Sequence, residues 1–267
     1  MQPYKICGPV KESEAPETLG QWLMGESVAE SIALCEYETT YPLFFKYLPR
    51  EGRILESGCG TGRWVFYLRQ RGFNVTGIDL ARAALEIAKA YDPSAPVLLD
   101  DVLHSQFPDR SFDAAISLGV VEHFEEGPQR ALAELRRILK DDGILLISVP
   151  VHNPARRFLF PPLRKMYHWF VRRRETWSSM TFWEYRYTQK EFRSYLEGAG
   201  FEILEAAPQD FRPPKNLGLY TDFRILQSRH KKWELNAFGK LISAVFRSVS
   251  PWAACSGVLW VCRKGPC

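Results

Sequence analysis

From about residue 53 to residue 150 the chain alternates short apolar runs with longer amphipathic stretches. The runs are "RILES" at 53–57, "NVTGID" at 74–79, "VLLDD" at 97–101, "FDAAISL" at 112–118 and "GILLISVP" at 143–150. Their length and their glycine or polar boundaries predict strands. The stretch "GPQRALAELRRILKDDG" predicts a helix, because Leu132, Leu135, Ile138 and Leu139 share one face. Pro128 stands near its start and Gly143 just past its end, as helix boundaries favour. After an interruption the pattern resumes. "TQKEFRSYLEGAG" predicts a helix opened by a capping box of Thr188 and Glu191, followed by the strands "FEILEAA" and "GVLWVCRK". Strands that alternate with helices imply crossover units and a parallel sheet covered on both faces.

Three segments stand outside the alternation. Residues 1–50 read as a loose start and then helical material, "ESVAESIALCEYETTYPLFFKYL", which is expected to form a lid. Residues 151–187 and 208–254 are read as insertions in a core of 51–267. No internal repeat or low-complexity tract is present.

Composition adds bounds. With 46% hydrophobic and 25% charged residues the chain has the make-up of a folded domain. It lacks a run of about 18 apolar residues and an apolar N-terminal leader, so a cytoplasmic protein is expected. Cys7, Cys35, Cys59, Cys255, Cys262 and Cys267 show no CxxC spacing, which predicts buried or idle thiols rather than a disulfide or metal framework. The net charge of +4 is modest, but Arg156, Arg157, Arg164, Lys165 and Arg172 to Arg174 face only Glu175 in their neighbourhood. Such a patch suits an anionic partner. In "PPLRKMYHWFVRRRETW", Leu163, Met166, Tyr167, Phe170 and Val171 make an apolar stripe beside these cations. A helix of this kind rests on an anionic membrane surface, meets a phosphate-bearing substrate, or packs on the core with a solvated basic face. A second stripe, Phe238, Leu241, Ile242 and Val245, is expected to pack on core or lid.

The segment "RILESGCGTGRW" carries the chemistry. A strand-to-helix turn holding Gly58, Gly60 and Gly62 tolerates positive φ, lets backbone approach a ligand and aims helix N–H groups at it. The next strand ends in Asp79, 23 positions after Glu56, where an acid holds ribose hydroxyls. A dinucleotide fingerprint would need glycine at position 63, which is Arg63. Glu56 would repel a pyrophosphate but suits a ligand carrying an ammonium.

Here the chain resembles the class I S-adenosylmethionine-dependent methyltransferases of the type 11-like group. "ESGCGTG" is similar to their E/D-x-G-x-G-x-G loop, "GIDL" to their second-strand end, and "LLDDVLHSQFPDRSFDAAISLGVVEHF" to the run that follows. The resemblance implies a Rossmann-like, doubly wound, mostly parallel α/β sheet of seven strands, in the order 3-2-1-4-5-7-6 with the last strand antiparallel. It implies S-adenosylmethionine as cofactor and S-adenosylhomocysteine as product. The cofactor residues it implies are Glu56, Gly58, Cys59, Gly60 and Gly62, with Asp79 and Leu80 at the ribose. Asp101, Val102 and Leu118 complete the set, with Asp100 as an alternative one residue away for the adenine acid.

The family's acceptor lies beyond the fourth strand, "SLGVVEHF", which makes His123 the candidate base if the acceptor must lose a proton. Arg156, Tyr185 and Tyr187 are candidate acceptor residues. Some quinone-biosynthesis relatives hold a metal with a glutamate–histidine pair and a glutamate three residues earlier; that earlier position is Gly119, so no metal is expected. The N/D-P-P-Y/F element of amino-group methyltransferases is missing, and no nucleic-acid partner is expected. The expected acceptor is a small molecule or a lipid- or carrier-linked metabolite, methylated on oxygen in preference to nitrogen. A peripheral contact with an anionic membrane is the further expectation. The alternatives are an NAD(P)-dependent Rossmann reductase and a non-catalytic cofactor-binding protein. No tyrosine has a lysine four residues on, as short-chain reductases require.

Overall fold

A computed structural model describes residues 3–9, 27–153, 155–159, 162, 180–209, 219, 223–230 and 234–266. The expected basic helix with Leu163, Met166, Tyr167, Phe170 and Val171 lies outside the described residues, together with Arg164, Lys165 and Arg172 to Arg174.

The chain starts with strand β1 (Tyr4–Pro9). Helices α1 (Val28–Ala33) and α2 (Tyr41–Tyr47) follow, α1 opened by a Ser27–Glu30 capping box. Then come β2 (Arg53–Ser57), α3 (Arg63–Arg69), β3 (Asn74–Asp79), α4 (Arg82–Tyr91) and β4 (Val97–Leu99). The next elements are β5 (Phe112–Leu118), α5 (Gln129–Ile138) and β6 (Leu139–Pro150). The remainder is β7 (Met180–Arg186), α6 (Gln189–Gly198), β8 (Phe201–Gln209), α7 (Ala237–Val249), the short α8 (Pro251–Ala254) and β9 (Gly257–Lys264). The capping box foreseen at Thr188 is formed, with the hydroxyl accepting from Glu191 N–H and Glu191 accepting from Thr188 N–H.

Seven strands form one sheet in the order β4-β3-β2-β5-β6-β9-β8. Numbered from β2, this is 3-2-1-4-5-7-6, and the last strand, β9, runs antiparallel to both neighbours while the first five are parallel. Period-two alternation divides the side chains between two cores. Ile54, Ala114, Ile116 and Leu146 face one layer with α3, α4 and the N-terminal helices. Leu55, Ala115, Leu145 and Ile147 face the other with α5 and α6. On the first side Phe44 of α2 stacks on Trp64 of α3 with ring centroids 4.1 Å apart, which ties the N-terminal helices to the sheet. On the second, Leu132, Leu135 and Ile138 are buried as their spacing foretold.

The opening residues depart from the loose start expected. β1 pairs antiparallel with β7 as a separate two-stranded sheet, with Tyr4 opposite Arg186. The parallel strands end at Ser57, Asp79, Leu99, Leu118 and Pro150. Because β9 is reversed, its first residue, Gly257, lies opposite both Pro150 and Gln209. Both insertions therefore leave the sheet at the same end as the glycine loop. Among the described residues no helix is long and apolar enough to cross a membrane.

Candidate active site

The loop between β2 and α3 is fixed to β3 from below. Gly58 and Cys59 both donate to the carbonyl of Ile78, at 2.8 and 2.9 Å. Gly58 has φ +79°, and a Cβ there would come within 2.3 Å of Val120 Cγ2, so a side chain is excluded twice over. Gly60 has φ +54° and nothing within 4 Å of where a Cβ would stand. This bare backbone opens onto space. Cys59 points the other way: it is buried over Gly77, and burial raises its thiol well above the ordinary range. Cys35, Cys255 and Cys262 are buried as well.

Acids stand at three successive strand ends. Glu56 is buried, and its Oε2 has no hydrogen-bond partner among the described residues. Burial pushes its carboxyl up to about 8, against the pull of Arg63 and a hydrogen bond from Val65 N–H. Asp79 accepts from Gly60 N–H at 2.7 Å through Oδ2 and from Ala81 N–H at 2.8 Å through Oδ1. Of the neighbouring pair, Asp100 is buried and uses both oxygens on the N–H groups of Asp101 and Gln106. Asp101 uses Oδ1 on Leu103 N–H at 2.8 Å. Asp100 is the more buried of the two, and Asp101 is the more accessible. Val102 is buried in the second core, Leu80 is exposed and Leu118 is half-buried at the end of β5.

Arg63, which the sequence offered only as the residue that breaks a dinucleotide fingerprint, pairs with the buried Glu38 at 3.1 Å. It thereby anchors the N-terminal segment beside the glycine loop. No local signal joins residue 38 to residue 63, so sequence reasoning missed the pair.

Past β5 the chain makes a 3-10 turn, Val121–His123. Glu122 is buried with Oε2 unpartnered among the described residues, and burial raises its carboxyl well above the ordinary range. His123 Nδ1 lies 2.8 Å from the carbonyl oxygen of Trp183 in β7. A carbonyl only accepts, so in the neutral ring Nδ1 carries the hydrogen and Nε2 is the basic nitrogen. Tyr185 Oη donates to Glu125 O at 2.9 Å, and Lys5 of β1 pairs with the Glu125 carboxylate. The small β1–β7 sheet is thus fastened over the turn that carries His123.

Tyr187 is buried, with backbone bonds to Pro150 and His152 and a hydroxyl unpartnered among the described residues. Arg156 stands apart from the two tyrosines in character. It is buried, and Nη1 donates to the carbonyls of Val151 and Ser256 at 3.1 and 3.0 Å, which clamps the first insertion to the end of the sheet. Among the described residues no cluster of three or more His, Cys, Asp or Glu is placed to hold a metal ion.

A buried carboxyl with one oxygen unpartnered among the described residues, beside an open stretch of bare backbone, fits a ligand bearing an ammonium. Two further acids at the next strand ends fit a nucleoside. The sheet order is that of the class I S-adenosylmethionine-dependent methyltransferase fold, and the loop and strand-end acids stand where that fold holds its cofactor. Residues 55–147 match the family described as a methyltransferase domain. The malonyl-[acyl-carrier protein] O-methyltransferase of Serratia marcescens is 36% identical over 96 residues, 36% of this chain and 37% of that one. The probable tRNA methyltransferase 9B of Mus musculus is 34% identical over 139 residues, 46% of this chain and 30% of that one. The chain thus spans about a third of the length of these relatives. A SAM-dependent methyltransferase from Methanosarcina mazei shares the fold, with a TM-score of 0.58 at 20% identity over 84% of this chain and 98% of that one.

Proposed function

We propose that this chain methylates a hydroxyl oxygen, in preference to nitrogen, on a small-molecule or lipid- or carrier-linked acceptor. One observation carries the preference for oxygen: the Trp183 carbonyl orients His123 so that its basic nitrogen is Nε2. A base is needed when the acceptor must lose a proton, as a hydroxyl does. When bound, S-adenosylmethionine supplies both the reactive methyl group and its leaving group. The protein's part is to align the acceptor and exclude water.

In this reading Glu56 holds the ammonium end through water or the loop amides, and Asp79 takes both ribose hydroxyls. Asp101 and Val102 meet the adenine, with Leu80 and Leu118 as flanking apolar contacts. Gly58, Cys59, Gly60 and Gly62 form the cradle. Tyr185 and Tyr187 belong to the acceptor wall, while Arg156 shapes that wall from behind through the carbonyls it holds. No metal and no nucleic acid take part.

The test is a screen with methyl-labelled cofactor against phenols, fatty and carrier-linked carboxylates, amines and bulk tRNA, read by mass spectrometry. Label in an ether, lost in His123→Ala with cofactor affinity kept, supports the reading, and label in esters alone overturns the role of His123 as base. Label in amines or RNA alone overturns the acceptor class, and a thermal shift with NAD(P)H alone overturns the cofactor.

A further inference from the structure

The insertion between β8 and β9 carries α7, whose sides differ sharply. Inward, Ile242 and Phe246 pack on the buried Leu219, Leu226 and Leu235, and Ser243 is buried. The stripe expected from the sequence to pack as one is therefore split. Phe238, Leu241, Val245 and Val249 are 64, 62, 57 and 78% exposed. Their spacing keeps them on one face, and isolated exposed apolar residues are ordinary whereas a continuous row of them is not. Lys240 and Arg247 fall on the opposite side of the helix.

The row continues past the helix start. Ile225, 64% exposed, lines an open hollow of about 610 Å³ together with Ser228, Arg229, His230 and Asn236. Arg229 and His230 are exposed there, and Lys231 and Lys232 follow them in sequence. Between Phe223 and Ser250 the sequence carries six Lys or Arg and one acid, Glu234, which is engaged by Lys240 at 3.0 Å. An apolar stripe with cations gathered at its end and a charged far side matches an interfacial helix on anionic lipid. A protein partner would call for no such concentration of one sign beside the apolar row.

We propose that α7 docks this protein on an anionic lipid bilayer, with Phe238, Leu241, Val245 and Val249 entering the interface and Arg229 and His230 meeting headgroup phosphates. The insertion leaves the sheet at the end that carries the glycine loop and the His123 turn. Docking therefore brings the working end toward lipid. Only the purpose of that placement rests on the lipid-linked reading of the acceptor; the docking itself is read without any turnover.

The experiment is flotation of the full chain with vesicles of phosphatidylcholine, alone or mixed with phosphatidylglycerol, at low and high salt. Binding is expected to the anionic vesicles, to weaken with salt, and to fall by about tenfold or more in Leu241→Glu/Val245→Glu. The exposed pair Arg229→Gln/His230→Gln should weaken binding to anionic vesicles alone. Both variants should keep the wild-type melting temperature and its shift with S-adenosylhomocysteine. No flotation, or equal binding to both vesicle types, overturns the proposal. A melting temperature lowered by several degrees in the glutamate variant overturns it in favour of a stripe covered by the chain itself. A dimer that the glutamate variant dissociates, without lipid binding, overturns it in favour of pairing between copies. A soluble hydroxyl acceptor turned over equally with and without vesicles would leave the methyl-transfer reading intact whichever way flotation falls.

Discussion

The carboxylate of Asp79 accepts a hydrogen bond from the backbone N–H of Gly60 at 2.7 Å, so the acid at the end of β3 and the crest of the glycine loop are one bonded unit. The same side chain also holds Ala81 N–H at the start of α4. In the proposed reading, ligand recognition and loop shape therefore depend on one residue. Asp79→Ala should abolish the thermal shift with S-adenosylhomocysteine and also cost about 1–3 kcal/mol of stability, since two N–H groups lose their acceptor. Asp79→Asn should recover much of the stability but not the affinity. Denaturant melts and calorimetric titration of both variants check this, and an unchanged affinity in Asp79→Ala would remove the ribose assignment.

Glu56 predicts a pH dependence in two parts. Its carboxyl is raised to about 8 by burial, and a cationic ligand favours the ionised form. Cofactor affinity should rise as pH increases toward 8 and level off above, with proton release measurable as buffer-dependent binding heat. For the ligand-free protein the sign is opposite. An acid whose folded-state pKa lies above its unfolded value stabilises the fold fully below the ordinary carboxylate range, and that contribution is lost as pH rises through about 8. Glu56→Gln should flatten both profiles.

Glu122 is a second buried acid, and burial raises its carboxyl well above the ordinary range. Burial favours the uncharged form, so Glu122→Gln, an uncharged side chain of the same shape, should cost less stability than Glu122→Ala. Glu122→Ala should cost about 1–3 kcal/mol through lost packing. If Glu122→Gln unfolds the protein as readily as Glu122→Ala, the residue is ionised and the account above fails.

His123→Ala should lower turnover on a hydroxyl acceptor by about 10²–10⁴-fold while sparing cofactor affinity. His123→Gln, which keeps a polar side chain but supplies no base, should lose turnover to a similar extent. Full turnover in either variant would leave His123 as a residue that only fastens β7.

Gly58→Ala places a methyl group against Val120 and keeps a positive φ, so it should cost about 1–3 kcal/mol and weaken cofactor binding. Adding Val120→Ala removes the clash but not the backbone strain. Partial recovery of the melting temperature in the double variant is the expected result.

The parallel strands and their order were legible because each run and its glycine boundary are local signals, and the three loop acids because each sits at a strand end. The β1–β7 sheet was not. It pairs Tyr4 with Arg186 across most of the chain, and neither strand has a pattern long enough to declare itself. The partner that orients His123 was hidden for the same reason, since Trp183 contributes a backbone carbonyl, which leaves no trace in residue identity. Arg156 looked like an anion-binding cation, yet its donors go to carbonyls that only the folded backbone brings together. The stripe on α7 was visible by period, but period alone does not say which half of a wide apolar arc is covered.

The reversed direction of β9 has a consequence for how such a protein diversifies. Gln209 and Gly257 face each other across one backbone ladder, and Gly257 also faces Pro150. Whatever chain joins Gln209 to Gly257 begins and ends at neighbouring fixed points, so its length and sequence can be exchanged without shifting a strand. The sheet thus holds a socket at the end that carries the glycine loop, and in the proposed reading substrate choice can be rewritten there while the cofactor half stays as it is.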